Sequence, residues 1–419
     1  MLDTNEKLFA EAESLNQLGK LEQARALLGQ AADGGHHASI YRLAISESAG
    51  LGGPLDQSRA AERLEKIAEA YPPARMFYAV ATASGWASEE DWPAAIAQHI
   101  QYATTGDPGA IFDLGLLCLL RDPETLGEMA QACFASALSA GAIFAAPALM
   151  RWHALRGERF LPAQGVLTAL KNSGYLPLAD LHTMANSTTK PAASVTTQPD
   201  WPRIERELQS WPDTWRSGKG DSLADAIDAA TWAADTHPCI CDFLTGYAGP
   251  AFEPAQIYDS KTGRLTPHPV RKALQAGMQP YRQTLTMHAL ERIMAERAGL
   301  PWKNAERLTI LLYRVGDFYA RHADYFSETS EEDVARLNAS GQRERTALLS
   351  LQPAERGGAT HFPRLNAKWL GQTGEMLCFS NLTPDGKPNP MSLHEGQVIE
   401  SGWKSLASLW IRARPYKTA

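Results

Sequence analysis

Leu311-Leu-Tyr-Arg-Val-Gly-Asp-Phe-Tyr-Ala-Arg-His-Ala-Asp-Tyr-Phe326 opens on an apolar strand, turns at Gly316 and ends in a His-x-Asp pair. His322 and Asp324 are two residues apart, so on a strand both side chains point to one face and can chelate one ion. A third ligand must arrive from another strand. His394, in Ser392-Leu-His-Glu-Gly396, is the preferred candidate; His361, in Gly357-Gly-Ala-Thr-His-Phe-Pro363, is its competitor. Two imidazoles and one carboxylate make a facial triad, which leaves positions open on a non-haem Fe(II) ion for a chelating co-substrate and O2. This chemistry is that of an oxygenase.

Short apolar or alternating runs surround that stretch. Residues 308–315, 345–351, 375–380 and 405–412 read as strands separated by turn residues. A long helix is predicted over 282–298, with Gly299 and Pro301 as its stop signal. Residues 201–232 read as helical in part, with a second helical run over 222–234. Several short strands behind a helical pad predict a double-stranded β-helix, or jelly roll, with supporting helices.

Upstream the grammar differs. Residues 1–185 are Ala-rich and read as helix, punctuated by small-residue turns such as Asp33-Gly-Gly35, Thr105-Gly-Asp107 and Ala140-Gly-Ala142. The helical stretches after these turns, at 38–44, 74–80, 110–116 and 145–150, recur with the period of a helix-turn-helix solenoid. One repeat cannot bury its own apolar face, so neighbours must stack. Asn186 to Asp200 is rich in Ser, Thr and Pro and reads as a linker. The expectation is an α+β multidomain chain: an all-α solenoid over 1–185, a linker over 186–200 and a catalytic domain over 201–419, its core at about 240–415.

The bulk numbers exclude several classes. A formal charge of −7 over 419 residues, with no basic block, argues against nucleic acid or an anionic membrane as partner. The N-terminal residues lack a secretory pattern, and the apolar runs are too short to span a bilayer. Five scattered cysteines make no disulfide framework, and Cys239 with Cys241 lacks a second pair for zinc. A cytoplasmic location is the simplest expectation.

Ten residues after His394 comes Lys404. A 2-oxoacid with a distal carboxylate needs a cation at the back of its pocket, and a lysine on the strand after the last metal ligand supplies one by a charge-assisted hydrogen bond. Tyr313, facing inward from the strand before the turn, can add a hydroxyl. Taken alone, Lys404 reads as a solvated lysine.

The ordered set of motifs resembles the prolyl 4-hydroxylase family of Fe(II)/2-oxoglutarate dioxygenases. The matching positions are Tyr313, Gly316, Tyr319, His322 and Asp324; then Gly341-Gln-Arg343 and Thr346; then Gly357, Gly358, Thr360, Phe362 and Pro363; and finally Ser392, Leu393, His394, Gly402, Lys404 and Trp410. Arg271 and Gly277-Met278 resemble an upstream segment of the family, although Lys272-Ala273 departs from it, as do Glu395-Gly-Gln-Val-Ile399 and Lys404-Ser405. The N-terminal half resembles Sel-one-like repeats, relatives of the tetratricopeptide repeat, most closely at 103–117 and 48–56. The resemblance implies His322, Asp324 and His394 as iron ligands. It implies Lys404 and Tyr313 as contacts of the 2-oxoglutarate carboxylate, and Tyr319, Thr360 and Trp410 as further contacts in the cofactor pocket. Oxidative decarboxylation of 2-oxoglutarate would accompany hydroxylation of a prolyl residue, with ascorbate as an accessory reductant. The substrate would be a peptide or protein, recruited by the repeats. A free amino acid or other small molecule is the second reading, and an adaptor with an inactive oxygenase fold is the third.

Overall fold

The structure, a computed structural model, describes residues 4–192, 198–211, 218–233, 236–259, 264–267, 271–327 and 331–416. The repeat period is visible in helices that begin at His37, Pro72, Pro108 and Ala145, each followed by a partner helix at Gln57–Ala68, Trp92–Thr104, Pro123–Ser139 and Gln164–Asn172. Asp56, Asp91, Asp107 and Asp122 cap the helices that follow them, each carboxylate accepting a backbone N–H of the first turn. Gly50 and Gly85 close two helices in the left-handed region, at φ 66° and 72°.

The C-terminal half contains an eight-stranded antiparallel sheet facing a five-stranded one. In the larger sheet Met376–Ser380, Arg343–Gln352, Lys404–Arg412, Thr309–Tyr313 and Leu274–Gly277 lie side by side in that order. The smaller sheet runs Ala367–Trp369, Thr360–Phe362, His394–Gly396, Phe318–His322, Arg271–Lys272. An apolar core including Leu311, Leu348, Phe362, Phe379, Ile399 and Leu406 fills the space between them. This is the expected jelly roll.

The two halves share a core. One continuous apolar cluster joins Leu114, Phe134 and Trp152 of the repeats to Ile240, Leu290 and Leu349 of the C-terminal half. Polar contacts fix the junction. Asp113 accepts the backbone N–H groups of Leu285 and Thr286 at 3.0 and 3.3 Å, capping the helix Leu285–Arg297 from another element. Arg151 grips Asp242 with Nε and Nη2 at 2.6 and 2.9 Å.

Several boundaries differ from expectation. The long helix begins at Leu285, because Thr284 caps it and Pro280–Arg282 forms a separate 3-10 turn. The predicted helical run over 222–234 is instead two strands, Asp221–Ala224 and Ala229–Trp232, which extend the eight-stranded sheet: Ala229–Trp232 pairs with Met376–Ser380, and Asp221–Ala224 pairs with Ala229–Trp232 at the edge. Asp228, at φ 44°, ends the turn between them; edge pairing outweighs the alanine-rich composition. Ala234 lies outside the described residues. In the predicted linker, Asn186 and Ser187 finish a helix and Lys190–Pro191 pairs with Glu158–Arg159. Residues 193–197 lie outside the described residues. The helix Trp201–Gln209 packs on the repeats, where the Trp92 indole N–H donates to Leu208 O at 2.7 Å. No helix among the described residues is long and apolar enough to cross a membrane.

Candidate active site

The strand Phe318–His322 pairs antiparallel with His394–Gly396, and a register shift in that pair sets His322 directly opposite His394. The strand ends at His322, so Asp324 comes from the bend beyond it rather than from the strand face expected from the spacing. The ligand atoms of His322, Asp324 and His394 all lie within 4.8 Å of one another. Nε2 of His322 is 3.6 Å from Asp324 Oδ1, and Nε2 of His394 is 3.9 Å from Oδ2. Each imidazole is oriented through Nδ1, which is 2.9 Å from the carbonyl of the residue two before it, Ala320 or Ser392. A proton on Nδ1 donates to that carbonyl and leaves the Nε2 lone pair turned to the carboxylate.

Asp324 is held as firmly. The Thr346 hydroxyl donates to Oδ2 at 2.7 Å, and Asn381 Nδ2 donates to that hydroxyl at 2.9 Å. The next turn is pinned by Gln342, whose side chain accepts from Phe326 N and donates to Phe326 O, at 2.6 and 2.9 Å. Tyr319 stacks on His322 with ring centroids 3.5 Å apart. Burial, joined by the neighbouring His394, pushes His322 down to about 3, so its imidazole is neutral. Burial alone would raise the Asp324 carboxyl; His394, His322, Arg343 and the Thr346 hydroxyl outweigh it and hold the group below the ordinary carboxylate range. Two imidazole nitrogens beside a carboxylate, each oriented by a second hydrogen bond, fit a first-row divalent ion.

A cavity opens beside these three residues. All eight site residues expected from the sequence line it: His322, Asp324, His394, Lys404, Tyr313, Tyr319, Thr360 and Trp410. Tyr313 and Lys404 face each other across neighbouring strands, as a directly opposed antiparallel pair. Lys404 is only 3% exposed, and its ammonium donates to Gly358 O at 2.5 Å. No carboxylate among the described residues is paired with it, and burial lowers it to about 8. A dicarboxylate 2-oxoacid fits such a cavity: a chelating end toward the His–Asp–His group and a distal carboxylate toward Lys404 and Tyr313. His361 is not brought to the group; its Nδ1 is 2.8 Å from Glu395 Oε1.

Some participants are not legible as such in the sequence. Arg271 lines the cavity, although the sequence marks it only as part of an upstream likeness. Thr346 is a motif position whose bond to Asp324 the sequence does not show, and nothing in the sequence singles out Asn381. Arg343 and Arg412 converge on Glu306, Arg343 through Nε and Nη2, both at 2.8 Å. His288 stacks on Trp92 and meets Trp302 edge-on, and Nδ1 of His153 is 2.9 Å from Glu158, as packing residues do.

The chain is similar to known proteins in both halves. The Arabidopsis thaliana protein named "Probable prolyl 4-hydroxylase 10" is 28% identical over 229 residues, which is 48% of this chain and 77% of that protein. A solved viral collagen prolyl hydroxylase from Paramecium Bursaria Chlorella virus-1, in complex with 2-oxoglutarate, is 24% identical, with a TM-score of 0.35; the match covers 46% of this chain and 99% of that one. A solved Sel1 repeat protein from Oxalobacter formigenes is 22% identical, with a TM-score of 0.31, over 48% of this chain and 86% of that one. No family model matches the chain. The C-terminal half thus has prolyl 4-hydroxylase homologues, and the helical repeats have a Sel1 repeat neighbour.

Proposed function

We propose that the chain is an Fe(II)- and 2-oxoglutarate-dependent dioxygenase that hydroxylates a peptidyl proline. The observation that carries this reading is one cavity with two complementary ends: His322, Asp324 and His394 at one, Lys404 and Tyr313 at the other. The bound ion and co-substrate would supply the activation of O2, coupled to decarboxylation of 2-oxoglutarate to succinate.

The chain's own residues do the positioning. His322 and His394 present Nε2 because Ala320 O and Ser392 O occupy their Nδ1 side. Thr346 fixes the rotation of the Asp324 carboxylate; His322, Asp324 and His394 would together hold the ion, with positions left over for exchangeable ligands. Lys404 and Tyr313 orient the distal carboxylate. Leu311, Leu348, Ile399 and Leu406 line the same cavity and keep water from the reacting atoms. Ascorbate is assigned the accessory task of restoring Fe(II) after uncoupled turnover.

The substrate is assigned as a peptide because of the prolyl 4-hydroxylase homologues, and the repeats are assigned its recruitment. Their shared core with the C-terminal half supports a fixed geometry between a recruiting surface and the pocket. Five free, buried cysteines suit a reducing compartment, and we assign the cytoplasm. The test is mass analysis of proline-containing peptides after incubation with Fe(II), 2-oxoglutarate and O2. A gain of one oxygen on proline is expected. A hydroxylated free amino acid with untouched peptides would replace the peptide assignment.

A further inference from the structure

The cavity holds a cation that the assigned chemistry does not use. Arg271 lies directly opposite Tyr319 in the five-stranded sheet, with its guanidinium carbon 4.7 Å from the Tyr319 ring centroid. Its Nε and Nη2 are closed off from solvent and have no hydrogen-bond partner among the described residues. Those two N–H groups form the side edge of the guanidinium, which takes a carboxylate with two parallel bonds. Among the described residues the same edge is used that way by Arg42 on Glu13, Arg151 on Asp242 and Arg343 on Glu306. Arg271 also acts on the Tyr313 hydroxyl, opposing the upward shift that burial gives that group. That contact leaves the side edge open.

Charge counting points the same way. The formally charged side chains lining the cavity are Arg271, Lys404 and Asp324. With a divalent ion they leave three positive charges, of which a 2-oxoglutarate dianion cancels two. A buried guanidinium without an anion is strongly disfavoured. We propose that the Nε/Nη2 edge of Arg271 receives a ligand carboxylate, in a bidentate pair. The leftover charge favours a substrate that carries a carboxylate beside the reacting carbon; the other source is the co-substrate's own distal carboxylate. The proposal rests on the dioxygenase reading above.

The test is titration calorimetry on the anaerobic, Fe(II)-loaded full chain, wild type against Arg271→Gln and Arg271→Lys. Iron content and thermal unfolding establish that each variant is folded. The titrants are 2-oxoglutarate, and then, on the 2-oxoglutarate complex, paired probes: L-proline with L-prolinamide, and proline peptides flanked by Glu or by Gln. Loss of a charge-assisted pair predicts binding about 10-fold to 100-fold weaker in Arg271→Gln, with partial retention in Arg271→Lys. Weakening confined to 2-oxoglutarate supports the proposal with the co-substrate as source. Unchanged 2-oxoglutarate binding, with loss of a wild-type preference for the carboxylate probes, supports it with the substrate as source. Unchanged affinity for 2-oxoglutarate and no carboxylate preference in the wild type overturn it. A wild type that binds iron but not 2-oxoglutarate overturns the dioxygenase reading and this proposal with it.

Discussion

Thr346 donates its hydroxyl to Asp324 Oδ2 at 2.7 Å, from the centre of a strand to the bend that carries the carboxylate. The bond ties the candidate metal group to the rigid eight-stranded sheet. Thr346→Val keeps the shape and removes the donor. We expect iron affinity to fall about 10-fold to 100-fold, and the iron-free protein to lose about 1–3 kcal/mol because Asn381 Nδ2 also loses its acceptor, as read by anaerobic iron titration and unfolding of the iron-free protein. Unchanged affinity would mean that the bend holds Asp324 without help.

Lys404 makes co-substrate binding pH-dependent. Burial lowers its ammonium from the ordinary 10.5 to about 8. Below about pH 8 it is charged and ready for a carboxylate; above, it becomes neutral. The KM for 2-oxoglutarate should therefore rise between pH 7 and pH 9, and Lys404→Met should abolish that rise while raising KM at all pH values. The sign for stability is opposite. Unfolded lysine keeps its proton up to about 10.5, so the cost of burying the charge is present below about pH 8 and relieved as pH rises toward 10.5. A flat KM profile in the wild type would remove Lys404 from the co-substrate pocket.

Asp113 belongs to the repeats yet caps Leu285–Arg297 in the other half. Asp113→Ala leaves two buried N–H groups unpaired, at a cost of about 1–3 kcal/mol each. Because the core is shared, a single cooperative unfolding transition should move to lower temperature. Two separate transitions in the wild type would show that the halves unfold independently.

Gln342 holds both backbone polar groups of Phe326, two residues past Asp324. Gln342→Ala should loosen that turn and lower kcat more than it raises the KM for 2-oxoglutarate, since it touches no ligand of the cavity. An equal change in both would place Gln342 in co-substrate binding instead.

The grouping of the candidate site was legible where a residue's placement depends on near neighbours. His322, His394, Lys404 and Tyr313 sit in short strands, Asp324 in the bend after one of them, and one cavity brings them together. Residues 222–234 read as helix because alanine-rich composition favours it locally, whereas Ala229–Trp232 is paired by Met376–Ser380, far away in sequence. Asn381 is invisible in the sequence for the same reason, and Arg271 is legible there only as a motif position: their partners, Thr346 and Tyr319, reach them through the folded sheets. The shared core was equally hidden, since apolar repeat faces carry no mark of what covers them.

The most direct measurement is succinate formation from 2-oxoglutarate by the purified chain with Fe(II), O2 and ascorbate, in the wild type and in Asp324→Ala. The account predicts iron-dependent succinate in the wild type, stimulated by proline-containing peptides, and none above background in the variant. Succinate formation that survives Asp324→Ala, or a wild type that binds iron and 2-oxoglutarate but never turns over, would contradict it.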